Sequence, residues 1–149
     1  MDRPFVTENE RELERLRSLV ERLTDDELIF PIGNGWTIAV ALAHLAFWDQ
    51  RALFLLRKWK KDGVEESLID IDVTNDSLLP LWLAIPPRKA ANLAISSAEA
   101  IDHELAETTT ELINEIVALG EKFRLYRSIH RKQHLDEIEE YLNDMSKTW

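Results

Sequence analysis

Three histidines carry the sharpest chemical signal in this chain. His130 and His134 stand four residues apart, so on a helix their imidazoles stack one turn above the other. Two neutral imidazoles at that spacing can hold one divalent cation, whereas two protonated ones repel. At about 100° per residue, Phe123, Tyr126, Ile138, Tyr141 and Met145 share a narrow sector, and both histidines lie inside it. That sector is the expected core face of the last helix. His44 sits within Ile38–Trp48, a stretch apolar on every face. Taken alone, it reads as a core histidine bonded to a carbonyl or carboxylate, because an unpaired buried polar group costs roughly 1–3 kcal/mol. If the second and last helices are neighbours, however, His44 faces His130 and His134, and three nitrogen donors surround one cavity.

Three protein ligands with an open position are the arrangement of a catalytic metal rather than a structural one. Imidazole ligation suits Zn²⁺, Ni²⁺, Fe²⁺ or Cu²⁺. Glu137, two turns beyond His130, reads as a solvated helix-edge carboxylate, with an acceptor behind a ligand or a fourth ligand as the alternatives. Arg127, one turn before His130, reads either as a surface arginine or as a group that holds a carboxylate of substrate. His103 falls opposite the apolar stripe of its helix and is expected to face solvent without a role.

Other chemistries are excluded. Arg131-Lys132-Gln133 fills the gap between the paired histidines, so the general-base glutamate of the His-Glu-x-x-His proteases is missing. No histidine has Glu three residues before it, as carboxylate-bridged di-iron bundles require. There is no Gly-rich phosphate loop and no nucleophile elbow. The chain has no Cys, which removes disulfides, thiolate ligands and a cysteine nucleophile together.

The elements that position the histidines are helices. Only 4 Gly and 5 Pro occur, clustered at Pro31–Gly35, Gly63, Pro80–Pro87 and Gly120, with long unbroken stretches between them. Thr7 and Glu10 fit a capping box for a first helix with an apolar stripe of Leu13, Leu16, Val20 and Leu23. Thr24-Asp25-Asp26 caps a short extra turn. Thr37 caps the second helix, which Gly63 ends. Ile69–Val73 alternates briefly and reads as an extended crossover, with a short helix from Asn75 to Trp82. A third long helix follows over 88–107, striped by Ala91, Ala94, Ile95, Ala98, Ile101 and Leu105, then a short one over 111–119. The last spans about 122–145. Four long helices with one long crossing connection predict an all-α bundle, and 149 residues suit a single domain over 1–149.

Charge sets the expected partners. With 18 Lys+Arg against 28 Asp+Glu, the net charge of −10 repels phosphate backbones. No nucleic acid is expected, and no membrane, since no uninterrupted apolar run approaches roughly 18 residues. Met-Asp-Arg-Pro leads directly into charged sequence, which makes cytoplasmic the expected localisation. The expected partner is a small-molecule substrate. A homodimer through the single-stripe outer helices is allowed.

The segments Gly35-Trp36-Thr37, His44-Leu45-Ala46-Phe47-Trp48-Asp49, Asp72-Val73-Thr74-Asn75 and His130 through Ile138 resemble, in order and spacing, the DinB superfamily. Within it they are most similar to the branch near mycothiol-dependent maleylpyruvate isomerases and bacillithiol transferases. The resemblance implies a four-helix bundle of up-down-down-up type, with a metal at one end held by His44, His130 and His134. It also implies a metal-dependent enzyme that activates a low-molecular-weight thiol for transfer or isomerisation, the thiol being a co-substrate. With no cysteine in the chain, that nucleophile would be brought in. Two rival functions use the same residues: a metal hydrolase that activates water, and a non-catalytic bundle that binds a metal or small ligand.

Overall fold

The computed structural model describes residues 3–120 and 124–147. Helix α1 (Pro4–Arg22) begins earlier than the Thr7 box predicts, with Arg3 at its N-cap and no side-chain cap. Pro4 suits the first position, where its missing N–H costs nothing and its φ is already helical. Phe5 buries itself in the added turn, so packing supplies what the cap does not. The Leu13, Leu16, Val20, Leu23 stripe is buried as expected. Thr24 opens α2 (Asp25–Leu28) with a reciprocal box: its hydroxyl accepts from Glu27 N at 3.2 Å, and its own N–H donates to Glu27 at 2.8 Å.

Strands β1 (Pro31–Gly33) and β2 (Trp36–Thr37) pair antiparallel in a small hairpin where the sequence reads only as a loop. Its turn takes positive φ at Gly33, Asn34 and Gly35 (97°, 56° and 78°), a region open to glycine and tolerated by asparagine. The hairpin delivers Thr37 as N-cap of α3 (Ile38–Asp62), its hydroxyl accepting from Val40 N at 3.1 Å. An 18-residue window of α3 is apolar enough to cross a membrane by length and composition, which run length alone did not reveal. That window is 72% buried among the other helices.

Helix α4 (Ile71–Leu83) corrects the crossover reading of Ile69–Val73. Asp70 caps it by accepting from Val73 N at 3.1 Å, so the apparent alternation is a cap followed by a first turn. Pro80 lies inside this helix and is exposed. Pro87 then starts α5 (Pro87–Ala106), and Thr109 caps α6 (Thr110–Ala118), accepting from Leu112 N at 3.3 Å. Helix α7 covers Arg127–Lys147. Its expected start at Lys122, and Phe123 with it, lies outside the described residues. A distant residue fixes where it begins: Asn9 of α1 donates to Leu125 O and accepts from Ser128 N, both at 2.8 Å.

Side-chain pairs fix the directions of the four long helices. Asn9 meets Ser128 and Arg15 meets Asp136, so α1 and α7 run parallel. Arg3 reaches Ala106 O while Arg88 reaches Val20 O, so α5 opposes α1. Asp49 meets Arg127 while His44, earlier in α3, meets His130, so α3 opposes α7. The result is an up-down-down-up bundle whose long crossover carries α4. On α3, one apolar core takes residues through Leu45 and a second begins at Ala52. The stretch between them faces a polar seam with α7.

Candidate metal centre

His44 lies two turns into α3 because Thr37 sets the start of that helix. His130 and His134 occupy successive turns of α7, whose start Asn9 sets. The seam between these helices brings all three together: one ring nitrogen from each lies within 4.8 Å of the others. Ring centroids are 4.7 to 4.8 Å apart in every pair. His44 Nε2 approaches His130 Nε2 to 2.9 Å, a contact that requires one nitrogen to donate and the other to accept. His44 and His134 are buried and His130 is partly so.

Burial keeps the trio neutral. The pKa of His44 is pushed down to about 2, first by desolvation and then by the neighbouring His130 and His134, with Asn75 opposing. His130 falls to about 3 through desolvation, His134 and the charges of Arg127 and Arg131. His134 is also lowered by desolvation, against the pull of Glu137. At neutral pH the three rings therefore offer lone pairs, the state a metal ligand needs. The Nδ1 atoms of His44 and His134 are buried without a hydrogen-bond partner. Glu137 Oε2 lies 3.3 Å from His134 Nδ1, close but without a hydrogen bond between them. Three convergent neutral imidazoles with unused nitrogens are a donor set that fits a divalent cation of the zinc, nickel or iron type.

Aromatic rings enclose this trio. Trp36, carried by the hairpin, lies 4.9 Å from the His44 ring and stacks on His134 at an interplanar angle of 18°. Trp82 of α4 packs edge-on against His44 at 5.3 Å. Trp48 follows His44 by one turn and donates from Nε1 to Asn75 Oδ1 at 2.9 Å, which ties α4 to α3 beside the site. The histidines form one side of a cavity of about 500 Å³ that continues past Trp36 and Trp48 to Ile69, Ile71 and Ile129. Among the described residues, none that lines it is acidic.

Arg127 lines the same cavity, but it is buried and its Nε donates to Asp49 at 2.9 Å. It is not a surface arginine. Beside it lies a residue that sequence reasoning missed. Arg131, 0% exposed, donates to Asp102 at 2.7 and 2.8 Å, to Asn9 O at 3.1 Å and to Asp49 at 3.4 Å. The available signal was the i, i+4 row Arg127, Arg131, Leu135, which the structure buries throughout. The core face of α7 is centred on that row and Ile138, while Tyr141, placed inside by the sector argument, is exposed. His103 is exposed, as expected. Trp36, Trp48 and Asn75 were missed as wall residues. Trp48 alone had a signal, since it lies one turn after His44 on the same face.

The sequence profile of the DinB superfamily matches residues 8–146, nearly the whole chain, and the chain belongs to that superfamily. No curated protein and no solved structure matches it. Membership together with the buried histidine trio fits a metal-dependent enzyme.

Proposed function

We propose that this chain is a metal-dependent transferase that joins a low-molecular-weight thiol to an electrophilic small molecule. One observation carries the reading: three neutral imidazoles converge at the inner side of a cavity that is large enough for two small reactants and, among the described residues, is lined by no carboxylate. A divalent cation held by His44, His130 and His134 would lower the pKa of a thiol and so supply a nucleophile that the chain, having no cysteine, does not contain. The chain's own contribution is placement and exclusion. Trp36 and Trp82 pack against the imidazoles and keep bulk water from two sides of them. Arg127 supplies positive charge on the cavity wall, and Asp49 fixes its guanidinium there through Nε. This favours a carboxylate on the thiol or its acceptor.

The test uses protein purified without an affinity tag. About one equivalent of metal per chain, and chelator-sensitive conjugation of a thiol such as cysteine or glutathione to a model electrophile, are the expected results. Metal far below one equivalent with His130→Ala changing nothing would sink the reading. Chelator-sensitive hydrolysis that needs no thiol would replace it with a hydrolase.

A further inference from the structure

The outer part of the same cavity says something about what enters it. Its rim is built from two segments far apart in sequence: Ile69 and Ile71 at the entry to α4, and Ile129 in the first turn of α7. Ile71 is 57% exposed and Ile129 is 60% exposed. Leu68 and Val73, near Ile69 and Ile71 in sequence, are exposed as well. In a chain with 46 Lys, Arg, Asp and Glu residues (18 plus 28), aliphatic side chains from two distant segments line the cavity that holds the histidines. Neither the bundle core nor the imidazoles needs them there. Trp36 and Trp48 continue the apolar surface inward.

We infer that the acceptor is an electrophile with a hydrocarbon body, which rests on Ile69, Ile71 and Ile129 while its reactive carbon lies beside the imidazoles. This deepens the thiol-transfer reading and rests on it. The occupant is a small molecule because the isoleucines line the same cavity as the histidines, and about 500 Å³ is the size of a small-ligand site. For an α,β-unsaturated ketone the step balances without a leaving group. Sulfur forms a bond to the β-carbon, the alkene pair moves to the α-carbon, and that carbon takes up the proton the thiol has lost.

A homologous series of alkyl vinyl ketones keeps the reactive group constant while the chain lengthens. Saturated methyl ketones of the same lengths report binding alone, by calorimetry on the zinc-loaded protein. Affinity for the saturated series is expected to rise roughly fourfold per buried methylene until the rim is covered. The kcat/KM for thiol addition should climb in parallel, and Ile71→Asn with Ile129→Asn should flatten both slopes. Both positions are more than half exposed, so these variants should fold, and Ile71→Leu with Ile129→Leu should restore the slopes. Affinity independent of chain length, or a double variant that keeps the wild-type slope, overturns the inference. So does a double variant that only turns a dimer into a monomer, because the isoleucines would then cover a second copy of the chain. Chain-length-dependent binding without thiol addition sinks the transferase reading and leaves the rim as a ligand subsite. Thiol addition without chain-length dependence does the reverse.

Discussion

Helices α3 and α7 meet at two adjacent polar places, and these solve the problem of burial in opposite ways. At the histidine trio, burial keeps three rings neutral, and two ring nitrogens have no partner. Next to it, Asp49 and Asp102 face Arg127 and Arg131, two negative charges against two positive ones. The carbonyls of Asn9 and Ala98 accept further guanidinium hydrogens, which ties in α1 and α5. A buried cluster that balances its own charge specifies one packing of four helices. A buried cluster with unused lone pairs does nothing for packing and is kept for something that arrives from outside. Nearness to the same seam therefore does not make Arg131 a site residue.

Removing one member from each cluster separates the two roles. His130→Ala should lower metal affinity by more than the roughly 10- to 100-fold that losing an outer partner of a ligand costs. Metal-dependent activity should go with it, while the unfolding free energy of the metal-free protein moves little. Metal analysis and urea titration measure the two effects. Asp49→Ala should do the opposite, because it takes from buried Arg127 the carboxylate its Nε donates to and leaves Arg131 with Asp102 as its one carboxylate. The expected loss is about 3–5 kcal/mol in the metal-free protein, read from the urea midpoint. If Asp49→Ala leaves stability untouched and empties the metal site, the division between the clusters is wrong.

Acid sharpens the same contrast. The folded-state pKa values of His44 and His130 lie at about 2 and about 3, below the ordinary 6.5. Above pH 6.5 neither the folded nor the unfolded chain protonates these rings, and their contribution to stability is whole. As pH falls below 6.5 the unfolded chain takes up protons that the folded chain refuses. Stability of the metal-free protein should therefore decline from pH 6.5 down toward 3, by at most about 1.4 kcal/mol per pH unit for each ring. Carboxylates contribute to the same decline at the acid end, so the difference between wild type and a His44→Gln, His130→Gln variant isolates the rings. A difference curve that is flat between pH 6.5 and 4.5 would mean the imidazoles are not desolvated as the structure has them.

What the sequence disclosed follows the same physical division. The trio is legible because its signals are local: an i, i+4 pair on one helix, and a histidine inside a stretch with no polar face. Thr24 and Thr37 are legible as caps for the same reason. The charge cluster is not, since nothing in the row Arg127, Arg131, Leu135 says that Asp49 and Asp102 will meet it from two other helices. The start of α7 is hidden likewise, because its cap comes from Asn9. Helix α4 was half visible: Asp70-Ile71-Asp72-Val73 alternates like a strand, and only the hydrogen bond from Val73 N to Asp70 resolves it. The isoleucine rim has no signature at all, because its two halves join only when the crossover lies beside α7.

The smallest expected effect concerns the contact between the trio and the charged exterior. Among the described residues, Glu137 is the carboxylate that reaches a trio nitrogen without a hydrogen-bond partner, 3.3 Å from His134 Nδ1. Its side chain is 48% exposed, so water and salt screen it in a way they cannot screen Asp49. The absence of a hydrogen bond between them weakens the contact further. Glu137→Gln should therefore reduce metal affinity by only about two- to fivefold, below the range for well-aligned outer partners. The loss should shrink between low salt and 0.5 M salt, where a screened charge no longer acts at this distance. The measurement is competitive metal titration at both ionic strengths. A loss of a hundredfold, insensitive to salt, would instead mean that the Glu137 carboxylate itself reaches the ion, making the donor set three imidazoles and one oxygen.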